Sequence, residues 1–127
     1  MHERGKIRNR EYASQLRDFS GMRYGSITPT DIDAFFEVRN KVFIFVEIKH
    51  GDAKLPKGQR LALERLVDAI DKPALLVLGK HIGDGDIKLH FCLATEYRSS
   101  KKWRTVDIHL TVKQIIDAFL KRHGIKI

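Results

Sequence analysis

Glu47 and Lys49 stand two residues apart at the end of an otherwise apolar run that begins at Val42. Side chains alternate faces along an extended strand, so this carboxylate and this ammonium project to the same side. Charges at the end of a buried strand cost free energy unless they have a partner or a task. A second acid, Asp33, heads the preceding apolar run, and Gln59 opens the helical stretch that follows. Hydrolysis of a phosphodiester requires neutralised charge on the scissile phosphate and hydroxide near neutral pH. A hard divalent cation held by oxygen ligands supplies both. An acid followed by Glu-x-Lys offers the carboxylates for such a cation. It also offers one amine to orient the attacking water and stabilise developing charge.

The secondary structure must bring these residues together. Residues 32–38 and 42–49 read as strands joined by a turn at Arg39, Asn40 and Lys41. With those three residues outside the ladder, Val38 faces Val42 and Asp33 falls opposite Glu47, with Cβ atoms about 5 Å apart on one face. A two-residue turn would shift the register and send Asp33 to the other face. Residues 51–58 form a loop containing Pro56. A helix is predicted over 59–70, with Leu63, Leu66 and Ile70 as its apolar stripe and Gln59 one turn before Leu63 on that stripe. Lys72-Pro73 stops it, and residues 74–78 form a short, wholly apolar strand suited to a buried position.

A glycine-rich turn spans 79–86. Strands are predicted over 87–97 and 105–110, around a loop from Arg98 to Arg104. Thr111 caps a last helix running to about His123, with Ile115, Ile116, Phe119 and Leu120 inward and Gly124 ending it. Ahead of the first acid, residues 9–19 read as a helix capped by Asn9, with Tyr12, Leu16 and Phe19 at helical spacing. Ser20-Gly21 breaks that helix, and a short strand follows over 22–28.

The 127 residues are most simply one domain, large enough to bury roughly two thirds of the chain surface without disulfides. No apolar run approaches the roughly 20 residues needed to span a bilayer, and the first residues lack the apolar core of a secretory leader. Cys92 is the one cysteine and sits in an apolar run, so it reads as a small core residue. A reducing cytoplasm is the expected compartment. With 24 Lys and Arg against 16 Asp and Glu, the net charge of +8 favours a polyanionic partner, for which nucleic acid is the common choice.

Other chemistries find less support. The six histidines lack metal-ligand spacing, and nothing points to zinc. Gly83-Asp84-Gly85-Asp86 resembles part of a calcium loop but lacks the later ligands, so it reads as a turn. No Ser or Cys nucleophile arrangement is visible.

Four features occur in order: Thr30-Asp31-Ile32-Asp33, the hairpin, Phe45-Val46-Glu47-Ile48-Lys49, and a helix opening Gly58-Gln59-Arg60. Together they resemble the PD-(D/E)XK nuclease superfamily, in particular its small single-domain members such as archaeal Holliday-junction resolvases and phage nucleases. The resemblance covers about residues 9–80. It implies an α/β, restriction-endonuclease-like mixed β-sheet flanked by helices, cutting nucleic acid with Mg²⁺ or Mn²⁺. Carried over by position, it makes Asp33 and Glu47 metal ligands together with the Ile48 carbonyl, and Lys49 the catalytic lysine. Gln59 matches a glutamine that some branches carry on the following helix. Glu11 and Asp31 are additional candidates. The Pro-Asp pair of the family is not literal here, because Thr30 follows Pro29, and Asp33 is preferred to Asp31 for its place opposite Glu47.

Nucleic-acid contacts are expected from Lys54 and Lys57, and from Arg98, Lys101, Lys102 and Arg104, with Trp103 to stack on a base or wedge a junction. Arg4, Lys6, Arg8 and Arg10 add charge at the start. The expected partner is DNA, recognised by shape or backbone, with a homodimer suited to a symmetric junction. Two other classes stay open: a nucleic-acid-binding or inhibitor protein that keeps the fold without catalysis, and an RNA-cutting member of the same fold.

Overall fold

The computed structural model describes residues 18–83 and 85–126. Its contacts divide the chain into two compact units, Met1–Asp31 and Ile32–Ile127. The expected helix over 9–19, and Glu11 with it, falls almost wholly outside the described residues. In the first unit, residues 18–31 form a single 3-10 turn, Ser20–Met22, and a tight Tyr24–Ile27 bridge where a strand was predicted. The Asp18 carboxylate accepts both the hydroxyl and the amide of Ser20, which lowers its pKa. Asp31 belongs to this unit.

The second unit is a five-stranded mixed sheet with two helices. Strands β1 (Ala34–Val38), β2 (Val42–His50), β3 (Ala74–His81), β4 (Leu93–Ser99) and β5 (Lys102–Thr105) lie in spatial order β1-β2-β3-β4-β5. Helix α1 (Lys57–Ala69) crosses between β2 and β3, and these two strands are parallel while the other pairs are antiparallel. The β1–β2 hairpin has the expected register, Val38 opposite Val42 through Ala34 opposite Val46. Its turn turns tightly because Arg39 and Asn40 both adopt positive φ, at 51° and 58°.

Period-two alternation sorts β2 between two cores. Val42, Ile44 and Val46 join Leu75, Val77, Cys92 and Val112 beneath helix α2 (Val112–Arg122). Phe43 and Phe45 face α1, with Leu63, Val67, Leu76 and Leu78. The α1 stripe therefore runs through Leu63 and Val67, and Leu66, expected inward, is exposed. Helix α2 starts as predicted, at a capping box in which Thr111 and Gln114 satisfy each other's backbone N–H.

The C-terminal strands depart from expectation. Residues 89–91 form a 3-10 turn, so β4 begins only at Leu93. The region expected as a loop is a tight hairpin, with Ser100 and Lys101 at φ 50° and 61° and Arg98 paired with Trp103. Residues 106–110 run beside β4 through isolated bonds, Val106 N–H to Thr95 and Ala94 N–H to Leu110, and form no regular strand. Between Leu78 and Gly79 the β3–β4 register skips Thr95, whose hydroxyl donates to the Leu78 carbonyl.

Candidate active site

Glu47 shares the α1 face of β2 with Phe45, so an apolar sheet carries a carboxylate that is 3% exposed. Burial of this kind requires compensation. The Lys49 ammonium lies 3.7 Å from Oε1, and the Gln59 side-chain amide donates to the same oxygen at 3.4 Å. Gln59 arrives there because α1 opens over the C-terminal end of β2. The spacing anticipated in the sequence, carboxylate, lysine and helix glutamine, is thus one cluster.

Asp33 sits at a bend just before β1, where the ladder with β2 has ended at Ala34 and Val46. Two residues on, Phe35 stacks on Phe45 with ring centroids 5.0 Å apart, on the Glu47 face. Asp33 leaves that alternation. Its Oδ2 accepts the backbone N–H of Ile48 at 2.7 Å, taking the place a carbonyl of a longer β1 would occupy. The expectation of a side chain simply opposite Glu47 therefore becomes a carboxylate fixed to the β2 backbone at Ile48, between Glu47 and Lys49. In an extended strand the N–H and C=O of one residue point to the same edge, so the Ile48 carbonyl lies on the β1 edge of β2. Burial, and second the Asp33 charge, push the Cys92 thiol up in pKa.

These donors suit a hard cation: two carboxylates, each with about four lone-pair sites, and one carbonyl. Among the described residues no group of three or more His, Cys, Asp or Glu side chains is gathered for a metal. The donor types fit such an ion, but Asp33 does not line the cavity at Glu47, and its charge acts on Cys92 in the core beneath α2.

Glu47 and Lys49 open on a cavity of about 500 Å³. Lys49, Lys54, Lys57, Arg60 and Lys80 line it, against Glu47, Asp52 and Glu96, so five cations face three carboxylates. Leu55, Leu78 and Ala53 contribute apolar wall. Lys54 and Lys57, expected as nucleic-acid contacts, line the same cavity as Glu47.

The β4–β5 residues divide. Lys101, Lys102 and Arg104 are exposed. Arg98 is turned inward, with a two-bond pair to Asp68 at 2.8 and 2.6 Å and Glu64 at 3.5 Å. This pairing raises the Arg98 pKa and lowers that of Asp68. Trp103 packs against the α1 core and donates its indole N–H to Glu64 at 2.6 Å.

Four charged cavity residues are not foreseen from the sequence: Asp52, Arg60, Lys80 and Glu96. Lys80 was hidden because β3 runs three residues beyond its apolar stretch, bringing Lys80 into register with Lys49. Glu96 carried a readable signal, a carboxylate inside a stretch otherwise expected as strand. Its partner Arg60 directly follows Gln59. Arg60 binds both Glu96 oxygens, at 2.7 and 3.0 Å, which lowers the Glu96 pKa.

Among the described residues no helix is long and apolar enough to cross a membrane. No family model, curated protein or solved structure matches this chain.

Proposed function

We propose that this protein is a metal-dependent nuclease that hydrolyses phosphodiester bonds in DNA, with selectivity for branched or junction structures. The observation that carries this reading is the buried Glu47 carboxylate, met by Lys49 and Gln59 at the wall of a cationic cavity. The order of elements from β1 to β3, with α1 crossing between parallel strands, supports the resemblance to the PD-(D/E)XK fold.

Asp33, Glu47 and the Ile48 carbonyl are the groups that would hold Mg²⁺ or Mn²⁺. When bound, the ion supplies phosphate charge neutralisation and hydroxide at neutral pH. The remaining work belongs to the chain. Lys49 orients the attacking water and balances negative charge gathering on the phosphoryl oxygens. Gln59 fixes the rotation of the Glu47 carboxylate and keeps a second amide proton for an ordered water. The lysines at the cavity mouth hold the strand through its phosphates, without reading bases.

The assay is cleavage of linear, nicked and four-way DNA with Mg²⁺, beside matched RNA. Lys49→Ala and Glu47→Ala are each expected to lose about 10²–10⁴-fold in rate. Parent-like cutting by both variants removes the assignment.

A further inference from the structure

One row of side chains crosses the sheet on the α1 face. Glu47 pairs with Leu78, Leu78 with Glu96, and Glu96 with Thr105. The first turn of α1 lies over this row, so two consecutive helix residues serve two carboxylates with Leu78 between them: Gln59 meets Glu47 and Arg60 meets Glu96. Glu96 takes two of the five guanidinium N–H donors, and three remain. The Trp103 ring lies 3.9 Å from the guanidinium carbon, and Glu64 fixes that ring through its indole N–H. The guanidinium plane is thus held from its edge and its face.

From this we infer that Arg60 is the pre-set phosphate contact of the cavity, holding one phosphate of a nucleic-acid strand that passes Glu47. The identity of the ligand rests on the nuclease reading above. A planar fork matches two phosphate oxygens at once, and a guanidinium already locked loses little side-chain freedom on binding. Lys54 and Lys57 carry the same charge on exposed stems with no planar fork, so they attract the strand without fixing it. Glu96 and Trp103 are positioning residues here. The bland alternative makes Arg60 only a clamp between α1 and β4, and it predicts no effect on a ligand.

The test is fluorescence-anisotropy binding of a short labelled DNA duplex to the full chain in EDTA, across a salt series. Because Arg60→Ala alone strands Glu96, the informative protein is Arg60→Gln/Glu96→Gln, in which a neutral amide pair replaces the ion pair. Arg60→Lys keeps the charge and loses the fork. Lys113→Ala, whose ammonium pairs with Asp117 on the solvent side of α2, is the control. For a phosphate contact, the double variant binds about tenfold more weakly and its log–log salt slope falls in magnitude by about 1. Arg60→Lys also weakens binding but keeps the slope.

Parent-like affinity and slope in a folded double variant would overturn the inference and leave the nuclease reading standing. The same drop in a protein that binds but never cuts supports the phosphate contact while defeating the catalytic reading. A parent that binds no DNA defeats both.

Discussion

Asp33, one of the proposed ligands, has a second job at the β2 backbone, and its substitution should separate the two. Asp33→Asn keeps an oxygen for the Ile48 N–H, so thermal stability should stay within about 1 kcal/mol of the parent. Cleavage should nonetheless collapse, because an amide is a poor ligand for a hard cation. Parallel melting curves and cleavage rates would check this; equal losses in both would assign Asp33 a purely structural part. The Glu47-x-Lys49 pair and Gln59 were legible because a charge inside an apolar run announces itself. Asp33 was legible only in part: the hairpin arithmetic gave the β1–β2 register, while the bend that takes Asp33 out of the ladder and turns its carboxylate to a backbone amide leaves no periodic trace. Arg60 looks like ordinary surface charge until the helix is laid on the sheet, whereas Glu96 could have been found as a carboxylate inside an expected strand.

Among the elements, β3 and its neighbours carry the tightest constraint. A Cβ added at Gly79 would stand 2.8 Å from the Leu93 carbonyl oxygen and 2.9 Å from side-chain carbons of Ile48 and Val112. One of those contacts is backbone, beside the Thr95 bulge, and cannot swing away. Gly79→Ala should therefore destabilise by roughly 1–3 kcal/mol, read as a lower urea midpoint at unchanged m-value. A parent-like midpoint would mean that the strand shifts freely there. Thr111→Ala, by breaking the capping box, should cost about 1 kcal/mol. The hairpin, α1, the first part of β3 and α2 were readable from alternation, helical spacing and a cap. The stretch over 87–110 was readable only where the expected strand overlaps β4. Apolar residues there face a core from a 3-10 turn and an irregular run, and burial without a ladder gives the same composition as burial with one.

At the scale of the whole molecule, acid stability should follow the two carboxylates that guanidinium groups hold at depressed pKa. Asp68 lies below its ordinary 3.8 through Arg98, and Glu96 below its ordinary 4.5 through Arg60. Their contribution is present in full above about pH 4.5 and fades as pH falls below that, through the lower folded-state values. Thermal melts from neutral pH down to about 3 should show an acid-side loss that is shallower in Asp68→Asn/Glu96→Gln; an identical slope in that variant would place the acid sensitivity elsewhere.

Adjacent positions on a helix diverge by about 100°, so the roll of α1 about its own axis decides at once whether Gln59 reaches one acid and Arg60 the other. A small turn of that cylinder would unseat both, and neither partnership can be retuned alone. Chemistry at one strand and grip at another are geared together through a single helical start.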